Sequence, residues 1–175
     1  MKHKFHSYLL QHYSKGKNLA LDIGCAMRPY HDDYKCNYIG IDLLSRPYDT
    51  KKPDVFTDGC NLPFQNNSFD LIVAYATMQY VKNLDNMIRE IHRVLKENGI
   101  TVIILLNETG LNLHPSSDFA NRCNLSQLQN MLRQYHFKSV MVQNLKALLL
   151  AKYYDKTSVY SYEVVSKQPF RHPVD

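Results

Sequence analysis

Three carboxylates stand where apolar segments of this chain end, and side chains of this type at strand ends are candidates for ligand binding. Asp22 lies near the end of one apolar run, two residues before Gly24. Asp42 closes the next apolar run, and Asp58 follows a shorter third one. Because ligands of open α/β sheets bind at the carboxyl ends of the strands, we expect these side chains to line one site. Capping of the following turns is the alternative role for each carboxylate.

The turn that begins at Gly24 narrows the class of ligand. Dinucleotide-binding turns follow the pattern Gly-x-Gly-x-x-Gly, because the backbone must come close to a pyrophosphate. Here Ala26 and Pro29 stand in place of the second and third glycines, and the P-loop pattern with its lysine is absent. Asp42 follows Gly24 by 18 residues, close to the spacing of about 20 at which an acidic residue reaches ribose hydroxyls. The pattern favours an adenosine ligand without phosphate and disfavours a nicotinamide-dependent oxidoreductase.

The strands and helices that position these residues follow from hydrophobic periodicity. Apolar runs predict five strands, at residues 19–23, 37–41, 55–57, 71–75 and 100–106. Two further β-like stretches follow at residues 139–143 and 159–165. Apolar residues at helical spacing predict helices at residues 3–14 and 84–97. The segment Ser126-Gln-Leu-Gln129 resembles a capping box that opens a third helix.

Strands and crossovers alternate along the chain, which predicts an α/β fold. We expect a Rossmann-like, doubly wound and mostly parallel sheet with helices on both faces. A length of 175 residues fits one domain. Within it we distinguish a leading helix (1–18), a cofactor-binding half (19–106), a substrate-side half (107–166) and a tail (167–175).

Five sequence blocks, taken in order, resemble class I S-adenosylmethionine-dependent methyltransferases of the methyltransferase domain 11 type. They are Leu21-Asp-Ile-Gly-Cys25, Ile39-Gly-Ile-Asp42, Asp58 with Leu62-Pro-Phe64, Ser68-Phe-Asp-Leu-Ile-Val73 and Glu90-Ile-His-Arg-Val-Leu-Lys-Glu-Asn-Gly99. The resemblance covers residues 19–106. Together with the apolar runs, it implies a seven-stranded sheet whose last strand is antiparallel. It also implies S-adenosyl-L-methionine as the cofactor and methyl transfer as the reaction.

The resemblance implies roles for the residues at the methionine and ribose end of that cofactor. Asp22 and the backbone of Gly24, Cys25 and Ala26 would hold the methionine part. Asp42 would accept hydrogen bonds from both ribose hydroxyls, since a carboxylate has two acceptor oxygens.

It implies a second set of contacts at the adenine end. Leu43 and Leu62 would pack on the adenine ring, with plain core packing as their alternative role. Asp58 would accept a hydrogen bond from the adenine amino group, and the backbone of Gly59 and Cys60 would follow the edge of the ring.

The acceptor side carries fewer candidates. The resemblance implies that Ala74 and Tyr75 face the sulfonium and the acceptor, with a buried strand aromatic as the alternative for Tyr75. Many relatives carry a histidine after the fourth strand, but this chain reads Met-Gln-Tyr, ending at Tyr80. A base is needed only for a hydroxyl or protonated amine acceptor. The candidates for it are His114, Tyr80 and Tyr30.

Composition limits the setting and the partners. The net charge of +5 is spread along the sequence, so it permits RNA or an acidic substrate without arguing for either. Four scattered cysteines without a Cys/His cluster predict no metal site and a reduced, cytoplasmic location. The amino terminus has no signal-peptide core, and the apolar runs are shorter than a membrane span, so no membrane partner is expected.

We therefore expect an S-adenosylmethionine-dependent methyltransferase that acts by in-line displacement on an oxygen or nitrogen of a small metabolite or sugar. A methyltransferase for RNA or another macromolecule is the alternative, and so is a non-catalytic binding or scaffold subunit of the same fold. Because the chain has little sequence beyond the core fold, the acceptor site is expected to be open. An open site tolerates a bulky acceptor such as a glycan, and a homo-oligomer or a partner subunit would complete the site.

Overall fold

The computed structural model describes residues 4–43, 51–106, 111–112, 116–144 and 160–167. Its strands are β1 (Leu19–Ile23), β2 (Asn37–Asp42), β3 (Val55–Phe56), β4 (Phe69–Tyr75), β5 (Leu95–Leu106), β6 (Lys138–Asn144) and β7 (Tyr160–Ser166). Its α-helices are α1 (Lys4–Ser14), α2 (Leu84–Val94) and α3 (Leu125–Gln134). Two 3-10 helices span His31–Asp33 and Met78–Tyr80.

The strands form one seven-stranded sheet in the order β3-β2-β1-β4-β5-β7-β6. The pairs from β3 to β5 are parallel, and β7 runs antiparallel to both β5 and β6. This confirms the predicted fold class. The register pairs Ile23 with both Ile41 and Ala74, so β1, β2 and β4 end at the same edge of the sheet.

Helices cover both faces of the sheet, and each face has its own apolar core. On one face, Ile72 and Ala74 of β4 pack with Met87 of α2 and Leu128 of α3, all fully buried. On the other face, Val73 packs with Leu10 of α1. Alternate residues of β4 therefore belong to opposite cores, as expected of a strand buried on both sides.

The second helix is shorter than its periodicity predicts. The expected range of 84–97 is wrong at its carboxyl end, because α2 stops at Val94 and Leu95 is extended, with φ −73° and ψ 134°. Leu95 pairs with Phe69 of β4, and the Lys96 ammonium lies 3.0 Å from the Asp70 carboxylate. Pairing with β4 thus begins β5 before the Asn-Gly stop signal is reached.

The start of α3 also differs from the prediction. The capping box is formed by Asn124 and Gln127, whose side chains bind each other's backbone N–H at 2.9 Å. The predicted box at Ser126 and Gln129 is two residues too late. Asn caps helices as well as Ser does, so both positions satisfied the pattern.

Candidate active site at the carboxyl edge of the sheet

The turn after β1 folds back across the end of β2. The backbone N–H groups of Gly24 and Cys25 both donate to the Ile41 carbonyl oxygen, at 2.9 and 3.0 Å. No α-helix follows this turn, because residues 24–36 contain only the 3-10 helix His31–Asp33. Gly24, Ala26 and Arg28 all have positive φ values, of 75°, 48° and 53°. The turn therefore keeps the left-handed backbone of a glycine-rich loop although two of these residues carry side chains.

Asp42 links the turn to the end of β2. Its Oδ2 accepts a hydrogen bond of 2.7 Å from the backbone N–H of Ala26, and its Oδ1 accepts one of 2.7 Å from Leu43. The carboxylate is only partly buried, so it remains accessible from the edge of the sheet. Leu43 beside it is 48% exposed. Both candidate side chains, predicted to contact the ribose and the adenine, are therefore accessible to a ligand.

Asp22 is a buried carboxyl on the α1 face of the sheet. Its pKa is raised from 3.8 to about 7, mainly by burial and to a smaller extent by the charge of Asp42. The Tyr34 hydroxyl and the Arg28 guanidinium lower the pKa of Asp22, but only in part. The Tyr34 hydroxyl itself has no partner of standard hydrogen-bond geometry among the described residues. A cation placed next to a carboxyl group in this environment stabilises its ionised form.

Arg28 fastens the turn to the edge of the sheet, a role that sequence reasoning missed. Its Nη1 lies 2.7 Å from Asp54 Oδ1, and its Nε donates to the Tyr38 hydroxyl at 2.8 Å. Its guanidinium carbon lies 4.6 Å from the centre of the Tyr38 ring. Asp54 Oδ2 in turn accepts a bond of 2.8 Å from the Gly40 backbone. Neither residue type nor spacing signals these contacts, which join segments far apart in sequence.

Thr77 fills the space beside Gly24. Its Oγ1 donates within hydrogen-bond distance of the Ile23 and Tyr75 carbonyl oxygens, at 3.1 and 3.0 Å. A Cβ atom added at Gly24 would lie 2.2 Å from the Thr77 Oγ1 atom. Thr77 thus joins the ends of β1 and β4 and excludes any side chain at Gly24.

The predicted adenine residues other than Leu43 lie on the loop after β3. Asp58 is exposed, and its Oδ1 accepts from the Cys60 backbone at 2.9 Å, the turn-capping geometry that was its alternative role. Leu62 is 4% exposed and packs in the core on the α2 face, its own alternative role. Gly59 also packs against that core, since an added Cβ would lie 3.0 Å from Ile23.

Glu90 and Arg93 of α2 hold that loop in place. Glu90 Oε2 accepts from the Leu62 backbone at 2.8 Å. Arg93 donates to Glu90 and to the carbonyl oxygens of Leu62 and Phe64, at 2.7 to 2.9 Å. These contacts give a structural role to the Glu-x-x-Arg part of the last sequence block.

Two cysteines of the candidate site have raised thiol pKa values. Burial raises the pKa of Cys25 far above its ordinary value, and the charges of Asp22 and Asp42 raise it further. Burial raises the pKa of Cys60 to about 11. Both thiols are therefore protonated at neutral pH and are poor nucleophiles.

The acceptor-side candidates are spread over different environments. Ala74 is fully buried in the core on the α2 face. Tyr75 is partly exposed and Tyr30 is buried, both on the α1 face. Tyr80 is 40% exposed, with its ring 5.2 Å from Phe119. His114 lies outside the described residues.

Two further residues at this edge were missed as candidates by sequence reasoning. His6 of α1 is 3% exposed, and its ring stacks on Tyr75. Gln79 is 5% exposed, and its Nε2 donates to the Ala76 carbonyl at 2.7 Å. Gln79 Oε1 has no partner among the described residues, although buried acceptors are usually bonded. The backbone oxygen of Gln79 accepts from Ala120 and Asn121, which fastens the segment from residue 116 over this edge.

Comparison with known proteins agrees with this geometry. The family described as "Methyltransferase domain" matches residues 21–103. The mitochondrial arginine-hydroxylase NDUFAF5 of Mus musculus is 36% identical over 95 residues, which cover 48% of this chain and 27% of that protein. The chain spans about half or less of the length of the curated relatives it matches.

Solved structures share the fold at low sequence identity. A SAM-dependent methyltransferase from Archaeoglobus fulgidus superposes with a TM-score of 0.66 at 14% identity, covering 94% of each chain. A chain from the complex of the Haloferax volcanii Trm112 methyltransferase activator with a methyltransferase gives 0.69 at 15% identity, covering 97% of this chain and 91% of that one. The family match over residues 21–103 and the shared fold confirm the resemblance to class I methyltransferases that the sequence shows.

Proposed function

We propose that this protein binds S-adenosyl-L-methionine and transfers its methyl group to an oxygen or nitrogen of a small metabolite or sugar. The observation that carries the proposal is the bond of 2.7 Å between Asp42 and the Ala26 backbone, which unites the turn after β1 with the acid after β2. It supports one continuous binding edge, although two of the family's glycines are replaced. Glycine is therefore not indispensable at Ala26, whose φ of 48° meets the same backbone requirement.

The residues present fit the cofactor at its charged and polar ends. Asp22 is a buried carboxyl whose pKa is raised to about 7, so it gains from a neighbouring ammonium. Asp42 is accessible and has two acceptor oxygens for two ribose hydroxyls. We assign Leu43 to one face of the adenine, because it is exposed beside Asp42. Asp58 would meet the adenine amino group with the oxygen that does not cap its own turn.

When bound, the cofactor supplies a methyl group on a good leaving group, so orientation of the acceptor carries most of the rate. Orientation effects are worth about 7–11 kcal/mol. We assign Gln79 to this task, since its buried Oε1 can accept a hydrogen bond from an O–H or N–H of the acceptor. Tyr80 and Tyr30 remain the base candidates within the described residues, and His114 remains one outside them.

The setting of the reaction is part of the proposal. All four cysteines are free thiols, which supports a reducing, cytoplasmic location. None of the described helices has the length and apolarity needed to span a membrane. The complex with a methyltransferase activator among the structural relatives supports a partner subunit at an open acceptor site. We also propose that the chain is a single domain, in which the cofactor-binding half ends at residue 106 and the substrate-side half follows.

Two alternatives have specific support. The arginine-hydroxylase relative favours a different reaction on the same fold, with arginine as the group that is modified. The absence of the family's histidine from the segment that ends at Tyr80 favours a non-catalytic binding subunit. RNA stays an alternative acceptor, which the net charge of +5 permits.

Isothermal titration with S-adenosylmethionine and S-adenosylhomocysteine tests the cofactor site. Removing the Asp42 carboxylate in Asp42→Ala deletes charge-assisted hydrogen bonds worth about 1.5–3 kcal/mol each, so both ligands should bind at least about tenfold more weakly. The exposed Asp118→Asn is the matched control. Absence of binding by the wild type at millimolar ligand, or unchanged binding by Asp42→Ala, refutes the proposal.

Acceptor profiling then tests the reaction. The protein is incubated with methyl-radiolabelled cofactor and sets of hydroxylated metabolites, sugars, tRNA and arginine-containing protein. Label in a metabolite or sugar supports the proposal, and label in RNA or protein supports the corresponding alternative. Cofactor binding without transfer to any set favours the non-catalytic subunit.

A further inference from the structure

Three rings from distant parts of the chain meet at the end of β4. His6 of α1 stacks on Tyr75, with ring centres 3.8 Å apart and planes inclined by 28°. Tyr30 meets His6 edge-on at 4.2 Å and Tyr75 edge-on at 5.8 Å. We call these residues the aromatic triad. His6 and Tyr30 are buried at 3% and 6% exposure, whereas Tyr75 stays partly exposed.

The triad lies on the same face of the sheet as Asp22. Asp22 pairs with Val73 in the parallel register, and paired residues of neighbouring strands point to the same face. Val73 and Tyr75 both pack in the core on the α1 face. Tyr75 is two residues beyond Val73, so its Cα lies about 6.6 Å further along the strand direction than that of Asp22.

This spacing suits a ligand with two positive charges joined by a short carbon chain. In the proposed cofactor, an ammonium and a sulfonium are separated in this way. The ammonium can form hydrogen bonds with a carboxylate such as Asp22. The sulfonium has no proton to donate, so a ring face, which attracts cations without a hydrogen bond, is a suitable partner. The product S-adenosylhomocysteine has a neutral thioether at that atom and gains nothing from the ring.

We propose that Tyr75 is a cation–π contact for the sulfonium and makes the protein bind S-adenosylmethionine in preference to S-adenosylhomocysteine. The inference rests on the proposed function and deepens it. His6 is a positioning residue, because its ring stacks on Tyr75 and fixes the orientation of the Tyr75 ring. Selection for the charged cofactor would also speed exchange of the product after each transfer.

Titration of both ligands into wild type and variants tests the inference without knowledge of the acceptor. Tyr75→Leu should weaken S-adenosylmethionine binding by about 2- to 30-fold, the range of cation–π contacts, and change S-adenosylhomocysteine binding by less than about twofold. Tyr75→Phe keeps the ring and should retain most of the preference. His6→Leu should also reduce the preference for S-adenosylmethionine over S-adenosylhomocysteine, but by less than Tyr75→Leu does. Tyr8→Leu, on the exposed side of α1, is the matched control and should leave both affinities unchanged.

The outcomes separate this inference from the proposed function. A wild type that binds both ligands equally, or binds the homocysteine form more tightly, overturns the inference and leaves the function standing. An equal loss of affinity for both ligands in Tyr75→Leu overturns the inference as well. So does a Tyr75→Phe variant that fails to retain the preference for S-adenosylmethionine. Binding of neither ligand by the wild type overturns the proposed function itself. The wild-type ratio decides even where Tyr75→Leu does not fold.

Discussion

Replacing Asp22 by asparagine should stabilise the protein at alkaline pH while weakening cofactor binding. Burial raises the pKa of Asp22 from 3.8 to about 7, which means that folding disfavours its ionised form. The asparagine side chain has nearly the same shape and no charge to bury. A comparison of this variant with the wild type therefore measures the free energy that it costs to bury the ionised Asp22 carboxylate.

The sign and size of the effect follow from linkage. The folded protein binds the Asp22 proton more tightly than the unfolded chain, so wild-type stability falls as the pH rises from about 4 to about 7. At about 1.36 kcal/mol for each pKa unit, the full cost above pH 7 is about 4 kcal/mol. At pH 5 only the unfolded chain is largely ionised, and the cost is still below about 2 kcal/mol. The advantage of Asp22→Asn should therefore grow by about 2–3 kcal/mol between pH 5 and pH 8.

Urea denaturation of wild type and Asp22→Asn at pH 5, 6, 7 and 8 measures this difference, and Asp118→Asn should show no such trend. Isothermal titration at pH 7 should show at least about tenfold weaker binding of S-adenosylmethionine, since the charge that faces the ammonium is gone. A variant less stable than wild type at pH 8 would refute the reasoning. So would a stability difference that does not change with pH.

Three further substitutions test the loops around the site, each by urea denaturation. Ala26→Gly should raise the free energy of unfolding by about 0.5–1 kcal/mol, because Ala26 has a φ of 48° that glycine adopts without strain; a lower midpoint contradicts this. Gly24→Ala should cost about 2–3 kcal/mol from the clash with Thr77, and less in a Thr77→Ala background; equal costs in both backgrounds exclude the clash. Arg93→Lys should cost about 2 kcal/mol, because lysine cannot replace the planar set of donors, whereas the exposed Arg89→Lys should change stability by less than about 0.5 kcal/mol.

The strands could be predicted because buried parallel strands are continuous apolar runs bounded by turn residues. The runs at Leu71 and Ile100 needed no tertiary information. The ends of the helices and strands were harder to predict. Helix α2 stops at Val94 because Leu95 pairs with Phe69, and a periodic pattern carries no record of that pairing.

The candidate site was predictable to a similar extent. Asp22 and Asp42 were found because each directly follows or ends an apolar run. His6 was not, because it is marked by ring contacts with Tyr30 and Tyr75, which lie far from it in the sequence. Arg28 was missed for the same reason, since Tyr38 and Asp54 reach it from other segments.

The short 3-10 helix after the first turn has an electrostatic consequence for the choice of ligand. A full α-helix in that crossover would aim its amino terminus at the edge of the sheet, with about half a positive elementary charge from its aligned peptide groups. The segment of residues 24–36 has only the three residues His31–Asp33 in helical form, so this macrodipole is lost. A pyrophosphate would therefore find little attraction here. A cationic ligand, which a full helix would repel, meets Asp22 and Asp42 without that opposing field.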